Sequence, residues 1–225
     1  MAAEISHELN QPLTGIRNYA RNAFYMLEKR LGGEDEVKAN LRLISEQVDR
    51  AARITNRMRE LTRRTDRHEA ALDVNSVLRE TVDFLMPQMR LSQVEVALEL
   101  APDLPAVRGD RTRLSQVFLN LLTNARHAME AAAVRRLVVR SRREGAAALP
   151  VVVEVADTGV GFSAESGRRL FQPFFTTKES GHGLGLSISR AIVVDHGGAI
   201  EARGAPGEGA SFTVRLPAAG AGEGA

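Results

Sequence analysis

The chain has 225 residues, a formal net charge of +2 and no cysteine. Its hydrophobic fraction of 44% and charged fraction of 26% are ordinary for a globular protein of one large or two modest domains. The absence of cysteine excludes disulfides and thiolate metal sites, and the small net charge gives no reason to expect a nucleic-acid partner. No apolar run is long enough to cross a bilayer and no signal peptide opens the chain. We therefore expect a cytoplasmic segment without membrane contact, although a region upstream of it could anchor the full-length protein.

Residues 4–67 are predicted to form two helices, each with a heptad seam. The seam of the first helix comprises Leu9, Leu13, Ile16, Ala20, Ala23 and Leu27, and that of the second Val37, Leu41, Ile44, Val48, Ala51, Thr55, Met58 and Thr62. Gly32 and Gly33 end the first helix, and Asp35 can cap the second. Two such helices cannot bury their seams alone. The pattern therefore predicts a helical hairpin that pairs with a second copy as a dimeric four-helix bundle.

From about Asp66 the pattern changes to a mixture of helices and strands. Helices are predicted at 76–86, 111–130 and 186–195, and strands at 94–100, 136–141, 151–156, 198–203 and 210–216. This mixture indicates a helix layer packed on a mostly antiparallel sheet. Residues 163–184 are rich in Gly, Ser and Thr, which predicts a long functional loop, and the tail at 218–225 is predicted to be flexible. The predicted domains are 1–67 and 68–217.

Arginines cluster at 50–67 and at 135–143. A solvated helix face and a strand edge explain these clusters, and the alternative is a docking surface for an acidic partner.

Two glycine-rich motifs have the composition of ligand-binding turns. GHGLGL at 181–186 leads into a predicted helix, where glycines allow close approach of anionic oxygens and the helix N-terminus offers free N–H groups. DTGVGF at 157–162 follows a valine-rich strand. Its Asp157 can accept a hydrogen bond from an exocyclic amine, while Gly159 and Gly161 leave room for a flat ring. Taken singly, each motif is equally a plain turn.

Polar residues on the predicted helices complete the set. Asn120 and Asn124 in NLLTNA share a helix face, and their amide oxygens suit Mg²⁺, although a surface role explains them equally well in isolation. His7 in EISHELNQP is predicted to lie exposed beside the seam, with Glu8 able to accept the proton of its second nitrogen. Pro12 favours a local bend about one turn later.

The order of these motifs, with FQPFFTTK at 171–178, resembles the catalytic core of bacterial two-component sensor histidine kinases. The similarity covers nearly the whole chain and is greatest to the nitrogen-regulation, oxygen-sensing and dicarboxylate-sensing subgroup. It implies an α+β multidomain protein. Residues 1–67 would be the dimerisation and histidine-phosphotransfer domain. Residues 68–217 would be an α/β sandwich ATP-binding domain of the Bergerat type shared with gyrase, Hsp90 and MutL.

The resemblance also implies an activity and its cofactors. The chain would autophosphorylate a histidine from ATP with Mg²⁺ and pass the phosphoryl group to an aspartate of a response regulator. It would act as a homodimer, with a response-regulator receiver domain as its partner and a sensor domain outside this chain.

Site roles follow from the same resemblance. His7 would be the phosphoacceptor, Glu8 its general base, Asn120 a catalytic residue near the phosphates and Asn124 the Mg²⁺ ligand. Asp157 would bind the adenine amine in a pocket shaped by Gly159 and Gly161. The remaining nucleotide-binding residues would be Phe175, Lys178, Gly181, Gly183, Leu184 and Gly185, with Phe171 and Phe174 joining Phe175 as anchors of an ATP lid.

Three positions depart from the family pattern. Gln11 stands four residues after His7, where many relatives carry a Thr or Asn that helps to dephosphorylate the partner. His127 stands where many carry Lys or Arg, and Ala210 where several place an adenine-contacting Thr. Two other functions remain as alternatives: a conformational ATPase of the gyrase or Hsp90 kind without autophosphorylation, and a degenerate dimeric scaffold.

Overall fold

The computed structural model describes residues 2–29, 33–62, 69–145, 148–177 and 183–219, and their side chains outside 2–10 and 49–62. The chain divides into two compact units, Met1–Thr65 and Asp66–Ala225. Within the described ranges, no helix combines the length and the apolar character needed to traverse a bilayer.

The first unit is the predicted helical hairpin, formed by α1 (Ala2–Lys29) and α2 (Glu34–Thr62). The expected cap at Asp35 is wrong, because α2 begins one residue earlier and Asp35 lies in its first turn. The Gly33 N–H instead donates to the Glu36 carboxylate at 2.7 Å, and the Gly33 carbonyl accepts the Glu36 N–H at 3.2 Å. Gly33 and Glu36 thus exchange two hydrogen bonds at the start of α2, in the manner of a capping box.

The two helices pack through alternate members of their predicted seams. With Leu13 assigned to heptad position a, the described d residues are buried or half-buried: Ile16, Ala23, Val37 and Ile44. The described a residues are all exposed: Leu13, Ala20, Leu27, Leu41 and Val48. Among these, Leu13 and Val48 are 49% exposed, Leu41 53% and Leu27 65%. The hairpin therefore leaves a row of apolar side chains uncovered on each helix.

The second unit contains the mixed elements. Its described elements, in chain order, are β1 (Ala70–Leu72), α3 (Val74–Leu91), β2 (Glu95–Leu100), β3 (Val107–Gly109), α4 (Arg111–Ala128), β4 (Arg136–Arg143), β5 (Val151–Asp157), α5 (Ala164–Arg169), α6 (Gly185–Asp195), β6 (Ala199–Gly204) and β7 (Ala210–Leu216). The short β1, β3 and α5 were not predicted, and α5 lies inside the stretch expected to be a loop.

The strands of this unit form two sheets among the described residues. Five of them are ordered β2-β4-β5-β7-β6, and β1 pairs with β3 separately. Only the β2–β4 pair of the five-stranded sheet is parallel, which confirms the mostly antiparallel prediction. Alternate residues of β5 and β7, such as Val153, Val155, Phe212 and Val214, join the helices in one apolar core. Phe118 of α4 is fully buried in that core.

Aspartates set the starts of the long helices. Asp73 caps α3 by accepting the Asn75 N–H at 2.9 Å, and Asp110 caps α4 by accepting the N–H groups of Thr112 and Arg113 at 2.8 and 3.1 Å. These caps satisfy N–H groups at the start of each helix that have no partner within the helix.

A buried polar network connects α3 to β4. The Asn75 amide donates to the Ala101 carbonyl at 2.7 Å and accepts the Ser141 hydroxyl at 2.7 Å. The Ala101 N–H in turn donates to Ser141 Oγ at 3.0 Å. The network satisfies these buried groups without help from solvent.

Arginines of the 135–143 cluster have partners within the same unit. Arg140 contacts Glu99 at 2.6 Å and Arg142 contacts Glu144 at 2.8 Å, while Arg135 donates to backbone carbonyls of the turn that follows α4. These pairs favour a solvated strand surface over a docking site for an acidic partner.

Candidate functional site

The first turn of α6 packs closely against α4. Gly185 touches Asn120, and a Cβ added to Gly185 would overlap the amide oxygen of that residue. The Asn120 amide nitrogen donates to Ser189 Oγ, one turn further along α6, at 2.9 Å. A glycine is therefore required at 185 for the two helices to approach this closely.

The N-terminus of α6 has the features of an anion site. Leu184, at the N-cap position, is buried in the core and supplies no capping side chain, and no acidic residue lies in the first turn. The first N–H groups of a helix lack intrahelical partners and carry the positive end of the helix dipole. Backbone donors at the start of α6 can therefore bind an anionic group beside Asn120.

The loop after β5 packs against the C-terminal end of α4. Asp157 is the last residue of β5 and is buried, and its carboxylate accepts the Gly159 N–H at 2.8 Å. The Val160 N–H donates to the Ala128 carbonyl at 3.0 Å, and a Cβ on Gly159 would lie 2.6 Å from the same oxygen. Gly159 is thus needed for close approach of this loop to the helix.

Positive backbone angles hold the second half of this loop against the turn before β7. Gly161 has φ +62° and lies against the Ala205 carbonyl, while Gly209 has φ +82° and lies against the Asp157 carbonyl. Side chains at either glycine would overlap backbone atoms. The contact places the start of β7 beside Asp157, where Ala210 pairs with it in register.

These contacts arrange the predicted groups along α4. Gly185 meets the helix at Asn120 and Gly159 meets it at Ala128, eight residues later, which corresponds to about 12 Å along the axis. Asn124 lies halfway between the two contacts. None of the described residues hydrogen-bonds its side chain, so the amide oxygen is open to a ligand. The geometry suits an elongated ligand with an anionic end at α6 and a polar ring at Asp157.

The described residues on either side of 178–182 contact each other. Gly183, with φ +65°, lies against the backbone of Phe174, which itself has φ +65°. The Arg169 guanidinium stacks over the Phe175 ring at 4.5 Å, and Phe174 packs against the core. Lys178 and Gly181 lie outside the described residues.

His7 and Glu8 lie on α1 by their backbone, and their side chains lie outside the described part of the chain. Sequence reasoning missed the roles of Ser189, Ala128 and Gly209. Ser189 is four residues after Gly185, so helical spacing alone could have placed it on the same face. The contacts of Ala128 and Gly209 join distant segments and had no local signal.

Comparison with known proteins agrees with this arrangement. Residues 1–67 match the His Kinase A (phospho-acceptor) domain, and residues 109–220 match the Histidine kinase-, DNA gyrase B-, and HSP90-like ATPase domain. The chain is 37% identical over 223 residues to the sensor protein FixL of Bradyrhizobium diazoefficiens, covering 97% of this chain and 43% of that protein. It is 36% identical to the C4-dicarboxylate transport sensor protein DctB of Rhizobium meliloti, covering 96% of this chain and 34% of DctB. The chain thus spans less than half the length of these relatives.

Solved structures show the same relationship. The catalytic domain of histidine kinase ThkA is 32% identical, with a TM-score of 0.58, and the match covers 68% of this chain and 97% of that domain. ThkA in complex with the response regulator protein TrrA is 27% identical, with a TM-score of 0.73, covering 97% of this chain and 61% of that one. The second match therefore extends over both units of the chain, and the first covers a histidine kinase catalytic domain over almost its full length. The chain therefore belongs to the sensor histidine kinase family.

Proposed function

We propose that this chain transfers the γ-phosphoryl group of ATP to His7 and then to an aspartate on a response regulator. The observation that carries the proposal is the uncapped N-terminus of α6 packed against Asn120, one turn before Asn124 on α4, in a chain whose other unit matches a phospho-acceptor domain. Phosphoryl transfer needs mainly alignment and charge compensation from a protein, which such an arrangement can supply.

The nucleotide base would bind at Asp157. This carboxylate is buried at the end of β5 and can accept a hydrogen bond from the adenine amine. Gly159 and Gly161 would shape the pocket indirectly, because they let the loop after Asp157 lie against α4 and against the turn before β7. The register partner Ala210 offers a methyl group there and no hydroxyl, so Asp157 would carry the polar recognition of the base.

The triphosphate would then extend along α4 towards α6. Its terminal oxygens would accept hydrogen bonds from the first N–H groups of α6. Gly185 lets this helix end lie against Asn120, and Gly183 lies against Phe174 just before it. From the sequence, Lys178 and Gly181 belong to the same phosphate-binding set, and Phe175 would help to hold the lid over it.

Asn124 is suited to hold Mg²⁺. Its amide oxygen is a hard ligand, and no described residue occupies it. The described residues contain no group of three or more His, Cys, Asp or Glu side chains placed around a metal. Asn124 would therefore be the protein side chain that holds the ion. When bound, the ion would neutralise charge on the phosphates. Asn120, tied to Ser189, would hold α6 at the distance that the triphosphate requires.

In the transfer step, a neutral His7 nitrogen would attack the γ-phosphorus and form the N–P bond. The bond from phosphorus to the β–γ bridging oxygen would break, and ADP would leave with that electron pair. Glu8 would accept a hydrogen bond from the second ring nitrogen and stabilise the imidazolium that forms. The aspartate carboxylate of the receiver would later attack the same phosphorus and release His7.

We also propose that the chain acts as a homodimer. The exposed a positions on both helices form an apolar row that the hairpin does not cover. A second hairpin with the same row would bury it symmetrically as a four-helix bundle. The complex of the similar kinase ThkA with TrrA supports a response regulator as the further partner.

Radiolabelled ATP tests the function directly. Incubation with [γ-³²P]ATP and Mg²⁺ should label the protein in an acid-labile, base-stable form, and His7→Gln should abolish the label. His68→Gln is the matched control and should retain it. Labelling that persists in His7→Gln would refute the proposal. ATP turnover without any phosphoprotein would indicate a conformational ATPase, and no binding of an ATP analogue at millimolar concentration would indicate a scaffold.

A further inference from the structure

His196 connects α6 to α4 at the ends of these helices that are remote from the phosphate site. It is the C-cap residue of α6, and its Nδ1 lies 2.7 Å from the Ile192 carbonyl oxygen in the last turn. Its Nε2 accepts the backbone N–H of Asp110, the N-cap residue of α4, at 3.0 Å. One imidazole therefore bonds to two helix termini.

The two hydrogen-bond partners determine which ring nitrogen of His196 carries a proton. A carbonyl oxygen can only accept a hydrogen bond and a backbone N–H can only donate one. The His196 ring must therefore be neutral, with its proton on Nδ1, to make both bonds at once. The bond to Ile192 lies within α6, whereas the bond to Asp110 links two separate elements.

Packing leaves little room at this junction. A Cβ on Gly109, the residue before Asp110, would lie 2.8 Å from His196 Nε2 and would also overlap the ring carbon beside it. Arg113 of α4 and Asp195 of α6 form a 2.7 Å ion pair across the same two helix ends. The C-terminal end of α6 is thus closely held against the start of α4.

The two helices run antiparallel, so the opposite end of α6 lies at the phosphate site. Asp110 meets His196 at one end, and Asn120 meets Gly185 and Ser189 at the other. An 11-residue helix is about 16 Å long, so a tilt of about 5° at its C-terminus would move its first turn by roughly 1.4 Å. Displacements of about 1 Å are enough to impair phosphoryl transfer.

We propose that His196 is a positioning residue for phosphoryl transfer. Through the Asp110 N–H it holds α6 so that the first-turn N–H groups and Asn124 face the same ligand. This inference rests on the proposed function of the site and extends it to a residue that would touch neither nucleotide nor metal.

Two substitutions separate the two bonds of the ring. In His196→Asn the shorter amide can still reach the Ile192 carbonyl, as Nδ1 does, but not the Asp110 N–H. In His196→Gln the longer side chain can place its oxygen near the position of Nε2 and accept that N–H. If the hydrogen bond between the two helices is required, the His196→Asn variant should bind a non-hydrolysable ATP analogue about tenfold more weakly, and its autophosphorylation rate should fall further. In the His196→Gln variant, the analogue affinity and the autophosphorylation rate should both stay within about threefold of the wild-type values.

The matched control for general destabilisation is Ser141→Ala. It removes buried hydrogen bonds to Asn75 and Ala101, away from the site, and should lower the melting temperature without changing analogue affinity. The proposal would be overturned if His196→Asn and His196→Gln changed analogue affinity and autophosphorylation equally, or if neither variant changed them. Should His196→Asn fail to fold, Gly109→Ala tests the same claim, because its methyl group would displace the ring from Asp110 while every polar group remains.

Failure of the proposed function can be told apart from failure of this inference. If the wild-type chain binds no ATP analogue, the proposed function is refuted. The effect of His196 on the position of α6 can then still be measured from the NMR resonance of the Gly185 backbone amide. That resonance should shift in His196→Asn and stay near its wild-type position in His196→Gln. An unchanged resonance in His196→Asn would reject the positioning role on its own.

Discussion

Asn120 and Ser189 join α4 to α6 through a 2.9 Å hydrogen bond from the asparagine amide to the serine hydroxyl. Ser189 is buried, and the amide oxygen of Asn120 lies against Gly185 at the start of the same helix. The side chain of Asn124, one turn later on α4, has no hydrogen-bond partner among the described residues. The two asparagines of one motif therefore differ: the first holds helices together, and the second is open to a ligand.

Removing the Ser189 hydroxyl should loosen this contact. Ser189→Ala leaves the Asn120 amide without its buried partner, so we expect a loss of about 1–3 kcal/mol in the free energy of unfolding. Affinity for an ATP analogue should fall less than in Asn124→Ala. Urea unfolding and calorimetry measure the two quantities. Ser211→Ala is the control, since its hydroxyl contacts Glu154 at the edge of solvent and should matter by less than about 0.5 kcal/mol.

Asp157→Asn should weaken nucleotide binding by about 1–3 kcal/mol, because one oxygen is needed by the Gly159 N–H and the other becomes an amide nitrogen, which cannot accept a hydrogen bond from the adenine amine. The Gly159 N–H can still bond to the remaining oxygen, so the loop should keep its conformation. Calorimetry with an ATP analogue provides the measurement. Glu154→Gln makes the same chemical change on the same strand at a half-buried position and should leave affinity unaltered. Unchanged affinity in Asp157→Asn would mean that Asp157 does not face the base.

Leu41→Gln should weaken the proposed dimer. Leu41 is 53% exposed in the single hairpin, and burial of a leucine in an interface is worth about 1.5–3 kcal/mol per copy. The dimer dissociation constant should therefore rise at least about tenfold, as measured by sedimentation equilibrium. Glu46→Gln introduces the same residue on the exposed polar side of α2 and should not change it. A monomeric wild-type chain at all concentrations would contradict the bundle.

Stability should respond to acid through Glu144. Hydrogen bonds from Arg142 and Arg215 hold the pKa of this carboxyl below its ordinary value. A carboxylate whose pKa is lower in the folded chain stabilises it above the unfolded pKa, and that contribution is lost as pH falls through the folded pKa. Glu144→Gln should therefore lower the melting temperature at pH 7, and the difference from the wild-type chain should vanish at a pH below the folded pKa, where the wild-type group is protonated. For Glu201→Gln we expect no difference at either pH, since no described residue forms an ion pair with Glu201.

Local spacing was enough to predict most of the fold. The helix and strand patterns place α4, α6 and the strands of the main sheet within two residues of their observed bounds, because periodicity and turn residues are short-range signals. The helix predicted at 76–86 is longer than expected, since α3 continues through Pro87 to Leu91. The strands β1 and β3 have three residues each, too few for a period to show. The helix α5 buries none of its residues, so it has no apolar stripe to reveal it.

The candidate site was only partly predictable. Sequence motifs predicted a binding role for the glycines, Asp157 and the two asparagines. Helical spacing alone puts Asn120 and Asn124 on one face. The partners of those glycines could not be inferred, because Ala128 and Ala205 come from segments separated in sequence.

The kinds of functional group and their order along the chain were thus available from the residues alone. Long-range packing settled which asparagine is bonded to Ser189, which glycines must lack a side chain, and which half of each heptad seam stays uncovered in one chain. The physical reason is that spacing describes the geometry of one helix or strand. Whether a side chain is already hydrogen-bonded or packed depends on atoms that a distant segment brings within a few ångströms of it.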